Sequence, residues 1–318
     1  MSQHASNRPW RSRPRARTAV AAFAVCLMFA AAACSSSGNN TSTEGTSGGT
    51  SGGSGSASNC TAASKVPSNI TSAGHMNAAT DASYAPNEFI GTNGSDIEGM
   101  DIDLGNAIAK QIGSSMKWQN VKFDSIIPGI GTRYDISLSS FSVTAEREKQ
   151  VCMVSYFSAG TSFYVAVGKN QDLTSLSALC GKNVAVETGT TQADDATAQS
   201  KKCTDAGKSK VNVLTFPDQN GANLALSSGR ADVVMADSPV AAYAAKQSDG
   251  KFEVIGQPYG TAPYGIVLPN TAEYAGLASA VLDALKTLDQ NGTYKQILTK
   301  WGVEAGAISD FAINPASS

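Results

Sequence analysis

The apolar positions after residue 75 follow two periods. Short β-type runs occupy residues 76–80, 116–121 and 134–138. Between the first two, Leu104, Ala107, Ile108 and Ile112 recur at helical spacing over 101–112, and Gly113 stands where it can end the helix. Asp101 and Asp103 fall in its first turn, where acids suit the positive end of the helix dipole. Residues 81–86 read as a loop, and Phe123-Asp124-Ser125-Ile126-Ile127-Pro128 opens a second helix. The order β-α-β-α-β is that of a mostly parallel sheet with helices on both faces.

The pattern restarts after a β-rich run at 162–167. A strand at 183–187 leads through Thr188-Gly189-Thr190-Thr191-Gln192 into a helix from Ala193. A strand at 211–216, a short helix at 221–228 and a strand at 231–236 ending on Asp237 follow. A helix then begins at Ser238-Pro239. The second α/β unit closes near Tyr259. Residues 264–268 are a further β run, and helices at 273–288 and 293–301 flank a Gln290-Asn291-Gly292 turn. The tail beyond Val303 carries little pattern.

The N-terminal region does not join this scheme. Arg8, Arg11, Arg13, Arg15 and Arg17 precede an alanine-rich apolar stretch at 18–33 that is short for a membrane span and has the layout of an export signal. It ends Ala31-Ala32-Ala33-Cys34, which resembles the lipobox of bacterial lipoproteins, where the cysteine becomes the lipidated N-terminus. Residues 35–58 are almost wholly Ser, Gly, Thr and Asn, a composition that stays a flexible coil. A signal at 1–33 and a tether at 34–73 are the expectation.

Without the five leader arginines the chain holds 19 basic side chains against 26 acidic ones, about −7, so nucleic-acid binding has no electrostatic support. His75 is its one histidine beyond the leader, and it argues against a histidine-built metal site or a Ser-His-Asp hydrolase. No cofactor motif is evident. Gly189-Thr190-Thr191 lacks the Gly-Lys-Ser/Thr continuation of a nucleotide-binding loop. With Cys26 in the signal and Cys34 lipidated, Cys60, Cys152, Cys180 and Cys203 remain, and three pairings can be drawn. Cys180–Cys203 brackets a compact strand-loop-helix segment and is favoured, which leaves Cys60–Cys152.

The richest candidate chemistry is Ser139-Ser140-Phe141-Ser142-Val143-Thr144-Ala145-Glu146-Arg147. Hydroxyls stand where a strand ends. The stretch from Glu146 towards Tyr156 opens as a helix with Thr144 as N-cap, which puts Arg147 in its first turn. Free N–H groups and a planar guanidinium fork suit a carboxylate.

Several ordered blocks together resemble the amino-acid-binding proteins of bacterial ABC importers, solute-binding protein family three, over about residues 74–303. They include Thr80-Asp81-Ala82-Ser83-Tyr84-Ala85-Pro86, Gly99-Met100-Asp101-Ile102-Asp103-Leu104, the 140–147 stretch, Val186-Glu187-Thr188-Gly189-Thr190-Thr191, Met235-Ala236-Asp237 and Asn291-Gly292-Thr293-Tyr294. The resemblance implies an α/β clamshell of type II, with two open mixed sheets joined by hinge strands at 164–167 and 264–267. Lobe one would be 74–163 plus 265–318, and lobe two 168–260. It also implies a site. Arg147, Ser142 and the backbone near Thr191 would take a ligand α-carboxylate. Asp237 and Ser140 would take the α-ammonium. Tyr84 and Phe123 would sandwich the aliphatic part, and Asp81 and Glu187 would read the side chain. Cys152 stands where the family usually has Asp, and Glu187 where it often has Gln or an apolar residue. Two acids near the side chain point to Gln or a cationic amino acid. The implied partners are permease transmembrane subunits and, through the lipid, the outer face of the cell membrane, for a chain acting as a monomer. The rival readings are a cyclohexadienyl-dehydratase-like enzyme with Glu187 as general acid, and a sensor for a membrane signalling partner.

Overall fold

The computed structural model describes residues 59–316. The expected export signal, Cys34 and most of the expected tether lie outside them. The part of the tether that is described is folded: Asn59–Thr61 forms a 3-10 turn and Ser68–Ala73 a short helix, α1. Ala62 accepts from the Ser279 hydroxyl at 2.7 Å, the Lys65 amide donates to Gly276, and buried Cys60 is bonded to Cys152. The folded body therefore begins by Asn59 and not at residue 74. The second disulfide joins Cys180 to Cys203.

The first unit contains β1 (Met76–Thr80), β2 (Ser83–Tyr84), β3 (Glu88–Ile90), β4 (Ile97–Glu98), α2 (Met100–Gln111), β5 (Met116–Asn120), α3 (Phe123–Gly129), β6 (Ile136–Ser137) and α4 (Ala145–Glu148). β7 (Val151–Ala166) leaves it. The second unit follows with β8 (Asn183–Glu187), α5 (Thr191–Asp205), β9 (Asn212–Phe216), α6 (Gln219–Ser227), β10 (Val233–Asp237) and α7 (Ser238–Gln247). β11 (Phe252–Pro269) returns, and α8 (Leu277–Gln290) and α9 (Thr293–Trp301) pack on the first unit.

Strand order is β5-β1-β6-β11-β7-β10-β8-β9, and β2-β3-β4 form a small antiparallel sheet whose first strand lies within the 81–86 segment that the sequence pattern reads as a loop. β1, β5 and β6 run parallel, as do β8, β9 and β10; β7 and β11 are antiparallel to their neighbours. The two long strands make the sheets continuous. Val267 of β11 pairs with Ser137 in lobe one, while Tyr164 of β7 pairs with Val234 in lobe two. The β7–β11 register breaks between Ile255 and Gly265, opposite residues 155–163. The crossing thus lies before Tyr164, where the strands have to bend, and 164–167 already belongs to lobe two.

Each lobe has its own core. Met76, Leu104, Ile108, Tyr156, Leu285 and Leu288 belong to one, and Phe163, Val184, Val186, Val233 and Met235 to the other. β10 is buried along its whole length, as expected of a strand covered on both faces. α8 shows why its segment is helical: Leu277, Val281, Ala284, Leu285 and Leu288 recur at three- and four-residue steps and are all buried. α4 lasts a single turn, contrary to the helix expected towards Tyr156. From Val151 the next seven residues are all buried, and β-branched residues in such a run favour the ladder over the helix. The C-terminal tail also folds: Ile313 bridges Val154 and Phe311 meets Tyr294 edge-on.

Candidate functional site

The C-terminal ends of β1 and β8 face each other across the cleft, with the β6–α4 loop and the β10–α7 junction completing its wall. Open α/β sheets bind ligands at such strand ends. The side chains close in on one another there, and only about 10 Å³ between them is open to the centre of a water-sized sphere. Every residue assigned to ligand binding above lines it: Asp81, Tyr84, Phe123, Ser140, Ser142, Arg147, Glu187, Thr191 and Asp237.

One corner is cationic. Thr144 caps α4 by accepting the Arg147 amide at 3.2 Å, which fixes where the arginine leaves the backbone. The guanidinium donates through Nη1 to Ser142 O at 2.8 Å and through Nη2 to Gly189 O, in the other lobe, at 3.1 Å. It also lies 5.5 Å and 5.1 Å from the rings of Phe123 and Phe141, which stack on each other at 4.2 Å. Phe123 is thus a platform for the arginine. Burial lowers the Arg147 pKa, opposed by the charges of Asp237 and Asp194. Of the three ion pairs among the described residues, none includes Arg147. Opposite it, Thr190 caps the fifteen-residue helix α5, whose first amides have no intrahelical acceptor. Gly189 has φ +80°, and a Cβ there would lie 3.0 Å from that of Asp124, so glycine serves both the turn and the close approach of the lobes.

A second corner is anionic. Asp237 is the N-cap residue of α7 by position, yet its side chain makes no capping bond. Its carboxylate instead accepts from Gln192 Nε2 at 2.8 Å. Burial raises its pKa to about 6, against hydrogen bonds and the charge of Arg147. Tyr84, from lobe one, sits in an apolar cluster of lobe two, and its hydroxyl accepts the Asp237 amide at 2.9 Å. It therefore ties the lobes together as well as lining the cavity. Ser140 adopts φ +53°, and its amide donates to Asp101 at 3.0 Å.

The far end holds two acids. Asp81 accepts the Phe123 amide at 3.0 Å, and burial raises its pKa. Glu187 is buried, and its Oε1 has no hydrogen-bond partner. Burial, then the charges of Asp81 and Asp218 and a hydrogen bond with Asp81, raise its pKa to about 9. Two neighbouring buried carboxyls cannot both ionise cheaply, which is why Glu187 favours its protonated form near neutral pH. At the rim, Lys122 Nζ meets Asp218 Oδ2 of the other lobe at 2.7 Å, with the lysine side chain 54 % exposed. An exposed pair of this kind contributes under about 1 kcal/mol. Lys122→Met is expected to change ligand affinity less than about fivefold, and any change should vanish in 1 M salt when Kd is measured by titration.

Sequence reasoning did not single out Glu88, Thr190 or Gln192, which also line the cavity. Gln192 donates to both Thr161 and Asp237, and its place one residue after Thr191 in a helix start was the available signal.

A clamshell with a fixed cation, a fixed anion and an extra acid pair in its cleft defines a solute-binding protein for a small charged molecule. The chain belongs to the bacterial extracellular solute-binding proteins, family 3, whose pattern matches residues 76–304. It is 32% identical over 252 residues to the arginine-binding protein ArgT of Corynebacterium glutamicum, covering 78% of this chain and 81% of that protein. Two solved structures of an ancestral arginine-binding protein, one bound to arginine and one to glutamine, are each 33% identical with a TM-score of 0.65. They match 72% and 73% of this chain and 98% and 99% of their own.

Proposed function

We propose that the protein is the capture component of an importer for a cationic amino acid, with L-arginine as its ligand. The observation that carries this is the charge layout. One cavity holds a guanidinium in no ion pair, the buried anion Asp237, and at its far end Asp81 with the partnerless Oε1 of Glu187. A zwitterion needs the first two groups. A side chain bearing a second positive charge needs the third. Arg147 and the α5 amides take the α-carboxylate. Asp237 and Ser140 take the α-ammonium, and Asp81 and Glu187 take the guanidinium. Micromolar affinity requires about −8 kcal/mol, which a handful of charge-assisted bonds at roughly 1.5–3 kcal/mol each supplies after the cost of closure.

Glutamine is the second reading, because a Glu187 whose pKa burial raises to about 9 can donate a hydrogen bond to an amide oxygen. The closed form is the species delivered to the permease transmembrane subunits, and lipid on Cys34 keeps the protein on the outer face of the cell membrane. A thermal-shift screen against the common amino acids tests the ligand. A ligand at a hundred times its Kd adds about 2.7 kcal/mol of stability. Arginine is expected to give the largest shift; a larger shift with glutamate or aspartate would overturn the proposal.

A further inference from the structure

Glu88 is the acid of the cavity that a dibasic ligand leaves unaccounted for. It is wholly buried at the start of β3 and lines the cavity beside Ser139 and Ser140. Both hydroxyls donate to it, Ser139 to Oε1 at 3.3 Å and Ser140 to Oε2 at 3.2 Å. A serine hydroxyl has one proton and two lone pairs. Ser139 Oγ also accepts the Asp81 amide at 2.9 Å, and Ser140 Oγ accepts Asn87 Nδ2 at 2.9 Å. Each hydroxyl has then spent its proton and one lone pair on the protein. What it has left for the cavity is one lone pair and no donor.

The network is closed from behind. Asp101, also wholly buried, accepts from the Tyr156 hydroxyl at 2.7 Å and from the Ser140 amide at 3.0 Å, and is hydrogen-bonded to Glu88. Neither acid belongs to an ion pair among the described residues. Two buried carboxyls in contact without a cation hold one proton between them. With that proton on Glu88 and donated to Asp101, the lone pairs of Glu88 remain for the two serines.

We propose, on the amino-acid reading above, that Glu88 is a positioning residue that fixes Ser139 and Ser140 as acceptors only, so that this end of the cavity selects a ligand bearing an α-ammonium. A carboxylate or carbonyl placed there meets lone pairs on both sides.

The test pairs a variant with a ligand change. Glu88→Gln keeps the shape, but its NH2 replaces one acceptor, so one serine must turn its proton elsewhere. L-arginine and 5-guanidinopentanoic acid, which is arginine without the amino group, are titrated into the purified full chain, with displacement used for the weaker ligand. Glu88→Gln is expected to weaken arginine about tenfold or more, the value of one lost hydrogen bond to a charged group, and to leave the deamino ligand within about twofold of wild type. Equal weakening of both ligands, or no change in either, overturns the proposal. If Glu88→Gln does not fold, Ser140→Ala is expected to show the same selective loss, and a loss shared equally by the two ligands counts against it. Binding of neither ligand to wild type would defeat the amino-acid reading, and this proposal with it. Binding of arginine without a selective loss defeats this proposal alone.

Discussion

Replacing Arg147 by alanine is expected to weaken arginine binding by roughly 10²- to 10³-fold, with little change in the ligand-free fold. The guanidinium uses only two of its five N–H donors on the protein, one to Ser142 O and one to Gly189 O. The rest are available to a carboxylate, and two charge-assisted bonds are worth about 3–5 kcal/mol. Removing them also leaves the ligand carboxylate inside the cleft near Asp237 with only the α5 amides to hold it. The unliganded protein loses two bonds to carbonyls and is relieved of a buried charge, so its melting temperature should move little. Arg147→Lys restores the charge but not the planar fork and should fall between the two. Titration calorimetry beside a melting curve checks both halves. A variant that binds arginine as well as wild type would show that the carboxylate sits elsewhere.

Glu187→Gln is expected to cost arginine about 10²-fold while leaving glutamine within a fewfold, because breaking one partner of a buried charge pair costs several kcal/mol. The pH dependence is the sharper readout. In the ligand-free protein Glu187 is protonated up to about pH 9. A bound cation favours the ionised form, so binding releases a proton. Arginine affinity should therefore rise with pH towards 9, by up to about tenfold per unit for one proton, and flatten above it. The same group acts on stability with the opposite sense. Its folded pKa, about 9, lies above the ordinary 4.5, so the folded state binds more protons across that window. Ligand-free stability is then full below about 4.5 and declines as pH rises towards 9. Glu187→Gln should remove the affinity slope and Glu187's own share of the stability slope, while the raised pKa values of the buried Glu88 and Asp101 keep theirs. Asp237, raised to about 6, contributes a lesser slope lower in the range that persists in the variant.

Much of this site could be read before the structure because its groups sit where local signals are strong. Asp81, Glu187 and Asp237 each close a β-type run, and Arg147 follows the hydroxyl-rich stretch and the Thr144 cap. What could not be read depends on contacts distant in sequence. Glu88 lies in a strand of three residues, too short for alternation to register, and its meaning comes from Ser139, Ser140 and Asp101 brought to it by the fold. Tyr84 was expected against a ligand face, but its hydroxyl reaches the backbone of the other lobe. The helix expected towards Tyr156 failed because burial on both faces overrode a good N-cap. The Cys60–Cys152 bridge was expected, but the hydrogen bonds that hold residues 59–73, from Ser279 to Ala62 and from Lys65 to Gly276, join segments far apart in sequence and leave no local pattern.

On this reading one cleft recognises three charges of a single ligand. Calorimetric titration of the wild-type protein at pH 8 with L-arginine, L-glutamine and L-glutamate tests it most directly. One arginine is expected to bind per chain, at least about tenfold more tightly than glutamine, with no heat from glutamate. Glutamate bound as tightly as arginine, or no binding of arginine at all, would contradict it.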